Sequence, residues 1–132
     1  MGIASAAGVD QRQSFGKLGE DLACEELQKR GYAIVERRFR TRCGELDIVA
    51  RDGDVLVFVE VKARSGGGFG SPFDAVTRQK RQRLSAMAES YLCHKRLNGV
   101  ACRFDVVSIR QSRDGHTVEL VRGAFDMESR HR

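Results

Sequence analysis

A turn sequence followed directly by an apolar run constrains this chain more than any other feature. Positions 52–54 read Asp-Gly-Asp, and the residues that follow, 55–59, are all apolar. An acidic, glycine-containing turn next to an apolar stretch is typical of a β-hairpin. The pattern therefore predicts two neighbouring antiparallel strands, at residues 45–51 and 55–62.

Three charged residues lie in the half of this hairpin that is remote from the turn. Antiparallel pairing brings together residues that are roughly equidistant from the turn. Asp47 lies six residues before Gly53 and Glu60 seven after it, so a small register offset or bulge would put the two carboxylates side by side. Side chains alternate along a strand, so Lys62 is expected on the same face as Glu60.

Two acids beside a lysine suggest a hard-cation site next to a phosphate, which is the working arrangement of metal-dependent nucleases. Two other interpretations of the same residues remain open. The residues could form a solvated polar strand face. Alternatively, Glu60 and Lys62 could form an ion pair across one strand face of a structural or partner-docking protein.

The remainder of the chain predicts a succession of helices and strands. One helix is predicted from Ser14, its N-cap, to the residue before Gly31. A second is predicted from a cap at Ser71 to about Lys95, after a glycine-rich mobile loop at 63–71. Further strands are predicted at 32–38, 103–110 and 116–122. This order predicts an α/β fold with a mixed central β-sheet of about five strands flanked by α-helices.

The length of 132 residues favours one domain, at residues 14–125, between a disordered segment at 1–13 and a tail at 126–132. No apolar run approaches the ~20 residues that a membrane span needs, and the N-terminus lacks the pattern of a signal peptide. The 4 cysteines have no C-x-x-C spacing. They predict reduced, mostly buried thiols in a cytoplasmic protein without a membrane partner.

The net charge of +5 comes from an excess of arginine, with 18 Arg and only 5 Lys. A basic chain favours an acidic partner such as nucleic acid, and guanidinium groups match phosphates in shape and charge. We expect six arginines to contact backbone phosphates, and the alternative for each is a solvated surface charge. The candidates are Arg37, Arg38, Arg40, Arg42, Arg64 and Arg78.

Three further charged residues fall on or beside apolar faces. Glu20 lies at the border of the apolar arc of the first helix. Lys80 falls inside the apolar stripe of the second helix, where it could extend to the rim or reach an acidic site at the sheet edge. Asp105 shares a strand face with apolar residues, which favours a buried acid held by hydrogen bonds.

Five sequence blocks resemble those of the YraN-like bacterial family, over roughly residues 14 to 126. The blocks are Phe-Gly-Lys-Leu-Gly-Glu at 15–20, Cys-Gly-Glu-Leu-Asp-Ile-Val-Ala at 43–50, Val-Phe-Val-Glu-Val-Lys-Ala-Arg at 57–64, the lysine at 80, and Arg-Phe-Asp-Val-Val at 103–107. That family is similar to the PD-(D/E)xK nuclease superfamily, which includes restriction enzymes and archaeal Holliday-junction resolvases. The resemblance implies a restriction-endonuclease-like core. One departure is that Leu46 stands where the superfamily motif has proline.

The resemblance also implies a role for each matching residue. Asp47 and Glu60 match the metal-binding acids, and the backbone carbonyl of Val61 matches a further metal ligand. Lys62 matches the motif lysine, which would orient water or stabilise charge on the phosphate. Two more residues complete the implied catalytic set, an acid on the first helix and a lysine on the second. They are Glu20 and Lys80.

The implied activity is hydrolysis of phosphodiester bonds by a Mg²⁺-dependent endonuclease, with Mn²⁺ as a possible substitute. The implied partner is nucleic acid, most simply DNA. No helix-turn-helix or zinc-finger pattern is present and there is no Trp, so we expect selectivity for branched or nicked structures over base sequence. The alternative is a catalytically weak nucleic-acid-binding module with the same fold. A homodimer would suit symmetric cutting of two strands.

Overall fold

Two helices and five strands occupy the residues that the structure, a computed structural model, describes, which are 11–65 and 77–127. In chain order they are α1 (Gln11–Lys29), β1 (Ala33–Thr41), β2 (Gly44–Asp52), β3 (Val55–Ser65), α2 (Arg78–His94), β4 (Cys102–Ser112) and β5 (Gly115–Phe125). The order of helix, three strands, helix and two strands is the predicted one. The structure is α/β and is consistent with a restriction-endonuclease-like core.

The strands form one mixed sheet in the order β1-β2-β3-β4-β5. All neighbours pair antiparallel except β3 and β4, which pair parallel across the connection that contains α2. Such a connection must carry the chain back along the sheet, which is the usual role of a crossover helix. The two helices cover opposite faces of the sheet, so each face has its own apolar core.

The core on the α1 face is built largely from small and β-branched side chains, which pack well on the pleated surface of a sheet. Its members include Ala23, Leu27, Ile48, Val57, Val59, Val107 and Ile109. The core on the α2 face is more aromatic. Its members include Leu46, Val49, Phe58, Leu84, Met87, Tyr91 and Phe104.

Both predicted helix starts differ from the observed ones. The first helix begins at Gln11, three residues before the predicted cap at Ser14, because the Gln-Arg-Gln segment favours helix. The second begins at Arg78, after an N-cap at Thr77 whose side chain accepts a hydrogen bond from the Lys80 amide. Thr77 has extended backbone angles, so the predicted helix from Ser71 to Lys95 does not run unbroken through Thr77. Residues 1–10, 66–76 and 128–132, which carry the rest of the predicted segment, loop and tail, lie outside the described residues.

The strands are longer than predicted because pairing extends them. The third strand continues to Ser65, which pairs with Gln111 of β4, so the predicted loop does not begin at Ala63. The first strand runs on to Thr41, which pairs with Gly44 across a tight turn. Sequence propensity could not supply these extensions, since each depends on a partner strand.

The sheet divides at one point, between β2 and β3. The last paired residues of these two strands are Ile48 and Val59. Beyond them, β2 stays paired with β1 and β3 stays paired with β4. We call this point the fork. Asp47 is the first residue past the fork on one strand and Glu60 is the first on the other.

Strand alternation breaks beside the fork. Ile48 belongs to the α1-face core, whereas Leu46, two residues away, belongs to the α2-face core. On the neighbouring strand, Arg38 has a left-handed backbone with φ of +56°. A non-glycine residue rarely adopts this conformation, which costs about 1 kcal/mol or more. The register of β1 and β2 places Arg38 opposite Asp47, so the break in both strands falls at the same place.

Asp105 is the hydrogen-bonded structural acid that the sequence predicts. Its side chain is fully buried, and it accepts hydrogen bonds from the Tyr32 hydroxyl at 2.6 Å, from two nitrogens of Arg103 at 2.9 and 3.0 Å, and from the Gly123 amide at 2.9 Å. Arg103 also donates to Asp52 at 2.9 Å. The network joins β2, β4 and β5 with Tyr32, the residue just before β1. Burial and the Asp105 hydrogen bond together raise the pKa of Tyr32 to about 12.

All 4 cysteines are free thiols, as expected, but the prediction that they are mostly buried is wrong. Cys24 is buried and Cys102 partly buried, whereas Cys43 and Cys93 are exposed. The two exposed thiols lie on a hairpin turn and in the last turn of α2, positions whose exposure depends on packing. Neither described helix is long and apolar enough to cross a membrane.

Candidate metal and nucleic-acid site

The two candidate metal acids lie opposite each other at the fork. The hairpin pairs Asp52 with Val55 and ends at Ile48 with Val59. Continuing this register by one residue places Asp47 opposite Glu60. The expected register offset is therefore unnecessary, because the centre of the two-residue turn lies between Gly53 and Asp54. Gly53 has φ of +62°, which fits the first position of a type II′ hairpin turn.

The Asp47 carboxylate takes the place of a strand partner for β3. Its Oδ2 atom accepts a hydrogen bond of 2.8 Å from the Val61 amide. Since β2 and β3 separate at this point, the side chain satisfies an amide that faces the gap between the strands. This contact fixes the position of Asp47 relative to the Glu60-Val61-Lys62 segment.

The pKa of Asp47 is raised from its usual 3.8 to about 7. Burial is the largest cause and the negative charge of Glu60 is the second, while the Val61 amide and Lys80 act in the opposite direction. Two carboxylates held this close repel each other unless a cation or a proton intervenes. The pair therefore has an excess of negative charge, and a perturbed acid of this kind is typical of functional sites.

Lys80 reaches Glu60 from the second helix. Its Nζ atom lies 2.6 Å from Glu60 Oε2, and both side chains are mostly buried, at 25% and 15% exposure. The Thr77 cap sets the direction of the first turn of α2, which carries Lys80. Of the alternatives that the sequence left open for Lys80, the structure favours contact with an acidic site. Glu60 forms an ion pair with Lys80.

Lys62 lies past the fork on β3, two residues after Glu60, and is partly buried. The α2-face core contains Phe58, and alternation along β3 puts Glu60 and Lys62 on that face. The structure thus brings Asp47, Glu60, Lys62 and Lys80 to one region, as expected. Among residues 11–65 and 77–127, no group of three or more His, Cys, Asp or Glu side chains is placed to hold a metal ion. Asp47 and Glu60 are the two carboxylates that the strands β2 and β3 bring to the fork.

Glu20 lies on α1 near the same acids, and two arginines hold it. Its Oε1 atom accepts hydrogen bonds from Arg38 Nε at 2.8 Å and Arg37 Nη2 at 3.4 Å. Arg37 also donates to Asp21 at 2.9 Å. Besides burial and Glu60, the charge of Glu20 contributes to the raised pKa of Asp47. No sequence pattern predicts this link, because it joins a helix to a strand through an unusual backbone at Arg38.

The other candidate arginines lie in different surroundings. Arg40 is 85% exposed, with only a long contact of 3.5 Å to Glu45. Arg42 and Arg78 are exposed, and Arg64 is partly buried on β3. Arg40 and Arg42 lie at the end of the β1–β2 hairpin, on the same side of the fork as Asp47 of β2. Arg40, Arg42 and Arg78 thus have solvent-accessible guanidinium groups.

Comparison with known proteins identifies the family. The sequence pattern of "Uncharacterised protein family UPF0102" matches residues 19–109. A UPF0102 protein of Syntrophus aciditrophicus is 46% identical over 119 residues, covering 90% of this chain and 94% of its own length. A UPF0102 protein of Acidothermus cellulolyticus is also 46% identical, covering 91% of this chain and 99% of its own. The chain belongs to UPF0102. The resemblance to the YraN-like family is thereby confirmed.

In this UPF0102 protein, the raised pKa of Asp47 predicts a pH-dependent effect on stability. Between pH 4 and 7 the folded protein holds the Asp47 proton and the unfolded chain has released it, so stability falls as the pH rises through this window. Asp47→Asn keeps an acceptor for the Val61 amide and removes the charge. We expect it to raise the free energy of unfolding at pH 8 by about 2 kcal/mol, and by less than about 1 kcal/mol at pH 5.

Urea unfolding at the two pH values measures this difference. Asp54→Asn is a matched control, since Asp54 lies exposed in the hairpin turn of the same protein. It should shift stability by a few tenths of a kcal/mol at both pH values. If Asp47→Asn were equally destabilised at pH 5 and pH 8, the negative charge of Asp47 would not be what lowers the free energy of unfolding at pH 8.

Proposed function

We propose that this UPF0102 protein is a metal-dependent endonuclease that hydrolyses phosphodiester bonds in DNA, with selectivity for branched or nicked structures. The observation that carries the proposal is the pair of Asp47 and Glu60 at the fork. A buried acid pair of high charge density next to lysines has the residue types that phosphoryl chemistry requires. The proposed location is the cytoplasm, where bacterial DNA is accessible.

The acid pair fits a hard divalent cation. Mg²⁺ and Mn²⁺ prefer oxygen ligands, and Mg²⁺ usually takes one or two carboxylates together with water and phosphate oxygens. Asp47 and Glu60 would supply carboxylate oxygens, and the Val61 carbonyl would supply a third ligand. A bound cation would relieve the repulsion that raises the pKa of Asp47. Its chemistry would be polarisation of the scissile phosphate and activation of a water molecule.

The remaining residues of the region have separate proposed tasks. Lys62 would orient the attacking water or stabilise negative charge that develops on the phosphate. Lys80 holds the Glu60 carboxylate in place through the 2.6 Å ion pair. Glu20 would support the cation from α1, through water. These three residues act by position and charge, which is the main source of catalysis in phosphoryl transfer.

The basic surface supports a DNA substrate. The exposed guanidinium groups of Arg40, Arg42 and Arg78 would bind backbone phosphates, together with Arg64 beside the site. Such contacts carry no base information, which agrees with selection of DNA by its structure. The proposed assembly is a homodimer, because two copies can cut two strands symmetrically.

A cleavage assay tests the proposal. Labelled single-stranded, duplex, flap, nicked and four-way-junction DNA would be incubated with the full chain in Mg²⁺, in Mn²⁺ and in EDTA. Asp47→Ala and Lys62→Ala proteins, purified identically, control for contaminating nucleases. We expect cation-dependent cutting of a branched or nicked substrate that both variants lose.

Cutting that persists in both variants would reject the assignment of the site. Absence of cutting with retained, salt-sensitive binding to branched DNA would favour the alternative, a nucleic-acid-binding module with weak catalysis. RNA versions of the same substrates distinguish between the two nucleic acids. Light scattering of the protein with and without a junction measures the number of copies bound.

A further inference from the structure

The contact between α1 and β1 has a geometry that normal strand structure does not produce. Consecutive residues of a strand project to opposite faces of a sheet. Arg37 and Arg38 nevertheless donate to the same oxygen of Glu20. The left-handed backbone of Arg38, at φ +56°, breaks the alternation and brings its side chain to the α1 face. The protein thus maintains a costly conformation directly across the strand pair from Asp47.

The exposure of the three groups is unequal. The Glu20 side chain is 14% exposed, whereas those of Arg37 and Arg38 are 36% and 49% exposed. The acid therefore faces the interior near Asp47, and the arginines face solvent. An anionic ligand that approaches from solvent meets the guanidinium groups before it meets the acid. Guanidinium binds phosphate in much the same way as it binds carboxylate, so a phosphate can compete with Glu20 for both arginines.

We infer that Arg37 and Arg38 restrain Glu20 in the free protein, and that a backbone phosphate of bound DNA takes over these arginines and frees Glu20 to act at the cation site. The inference rests on the proposed function and deepens it, since it makes Arg38 a positioning residue that couples substrate binding to cation binding. When Glu20 is freed, the site gains one unpaired negative charge near Asp47 and Glu60. The cation then binds more tightly. By linkage, the cation also tightens the binding of DNA by the same factor.

The coupling can be measured without catalysis, as the affinity of the full chain for Mn²⁺ by titration calorimetry. The test variant is Arg38→Gly, because glycine accepts the left-handed backbone and only the side chain is lost. Without DNA, Arg38→Gly is expected to tighten Mn²⁺ binding at least about fivefold, the lower range for coupled sites. In a Glu20→Gln background the same substitution is expected to change the affinity less than about twofold.

The double-mutant comparison separates the inference from a simple charge effect. If loss of the arginine charge alone were responsible, Arg38→Gly would tighten Mn²⁺ binding equally in both backgrounds, and the inference would be overturned. Arg83→Ala removes an equal charge from the exposed face of α2, one turn after Lys80, and is expected to leave the Mn²⁺ affinity within twofold. Arg37→Ala serves as a second variant if Arg38→Gly does not fold.

A DNA arm tests the competition itself. In a Lys62→Ala background, which keeps the DNA intact during the titration, a four-way junction is expected to tighten Mn²⁺ binding at least about fivefold. Adding Arg38→Gly is expected to abolish most of this gain. An unchanged gain overturns the inference.

The same titrations distinguish failure of the proposed function from failure of the coupling alone. If Asp47→Asn leaves Mn²⁺ binding unchanged, the cation lies elsewhere, and both the proposed function and the coupling are rejected. If Asp47→Asn abolishes Mn²⁺ binding but Arg38→Gly has no Glu20-dependent effect, the cation site stands and the coupling alone is rejected.

Discussion

Replacing Asp105 by alanine is expected to lower the free energy of unfolding by about 4 kcal/mol, because removal of one partner from a buried ion pair typically costs 3–5 kcal/mol. The variant removes the acceptor of four donor groups, which are the Tyr32 hydroxyl, two nitrogens of Arg103 and the Gly123 amide. Tyr32 is buried and Arg103 is partly buried, so water replaces their lost hydrogen bonds incompletely. Domains of this size are stable by about 5–15 kcal/mol, so the loss would leave the protein close to its folding threshold.

Urea unfolding at constant pH measures this loss. Asp52→Ala is the matched control, since Asp52 accepts from the same Arg103 but its side chain is 29% exposed. Its expected cost is about 1 kcal/mol. A loss below about 1 kcal/mol in Asp105→Ala would contradict the structural role of the network. Both variants keep Asp47 and Glu60, so cleavage by the fraction that remains folded should be retained.

Glu60→Gln is expected to lower kcat/KM for the preferred DNA in Mg²⁺ by at least about 10³-fold, equivalent to about 4 kcal/mol of transition-state stabilisation. The amide oxygen carries no formal charge and is a weaker ligand for a hard cation. The substitution also leaves Lys80 without the carboxylate that lies 2.6 Å from its Nζ atom. Initial rates over a range of DNA concentrations give the kinetic constants.

Two companion variants separate chemistry from folding. Glu119→Gln removes an exposed acid from β5 and is expected to change kcat/KM less than twofold. Glu60→Gln combined with Lys80→Met removes both charges of the ion pair. This double variant is expected to recover stability, because neither member of the ion pair is left buried without its partner, but to remain inactive. Activity of Glu60→Gln within tenfold of the parent protein would exclude Glu60 as a cation ligand.

The sequence was sufficient for the parts of the site that depend on a local turn. The acidic glycine turn predicts the hairpin, and the hairpin predicts that Asp47 and Glu60 meet. Distances counted from Gly53 require an offset between the two acids, but the centre of the turn lies half a residue later, between Gly53 and Asp54. The same kind of pattern identified Asp105 as a buried acid, because its strand neighbours are apolar.

Contacts between distant elements were beyond sequence reasoning. Arg37 and Arg38 are predicted to bind DNA phosphates, and the structure adds that both contact acids of α1. Nothing in the local sequence signals the left-handed backbone that allows this. The exposure of Cys43 and Cys93 was likewise missed, since burial depends on which surfaces pack together.

The sequence by itself determined the order of helices and strands and the placement of Asp47 opposite Glu60. These follow from side-chain periodicity and from a two-residue turn, which act over a few neighbouring residues. Only the tertiary structure decided that β3 lies parallel to β4, that the sheet forks at the acids, that Lys80 binds Glu60 and that Arg38 binds Glu20. These contacts join residues far apart in the chain, and their geometry is set by packing of whole elements, which no local pattern encodes.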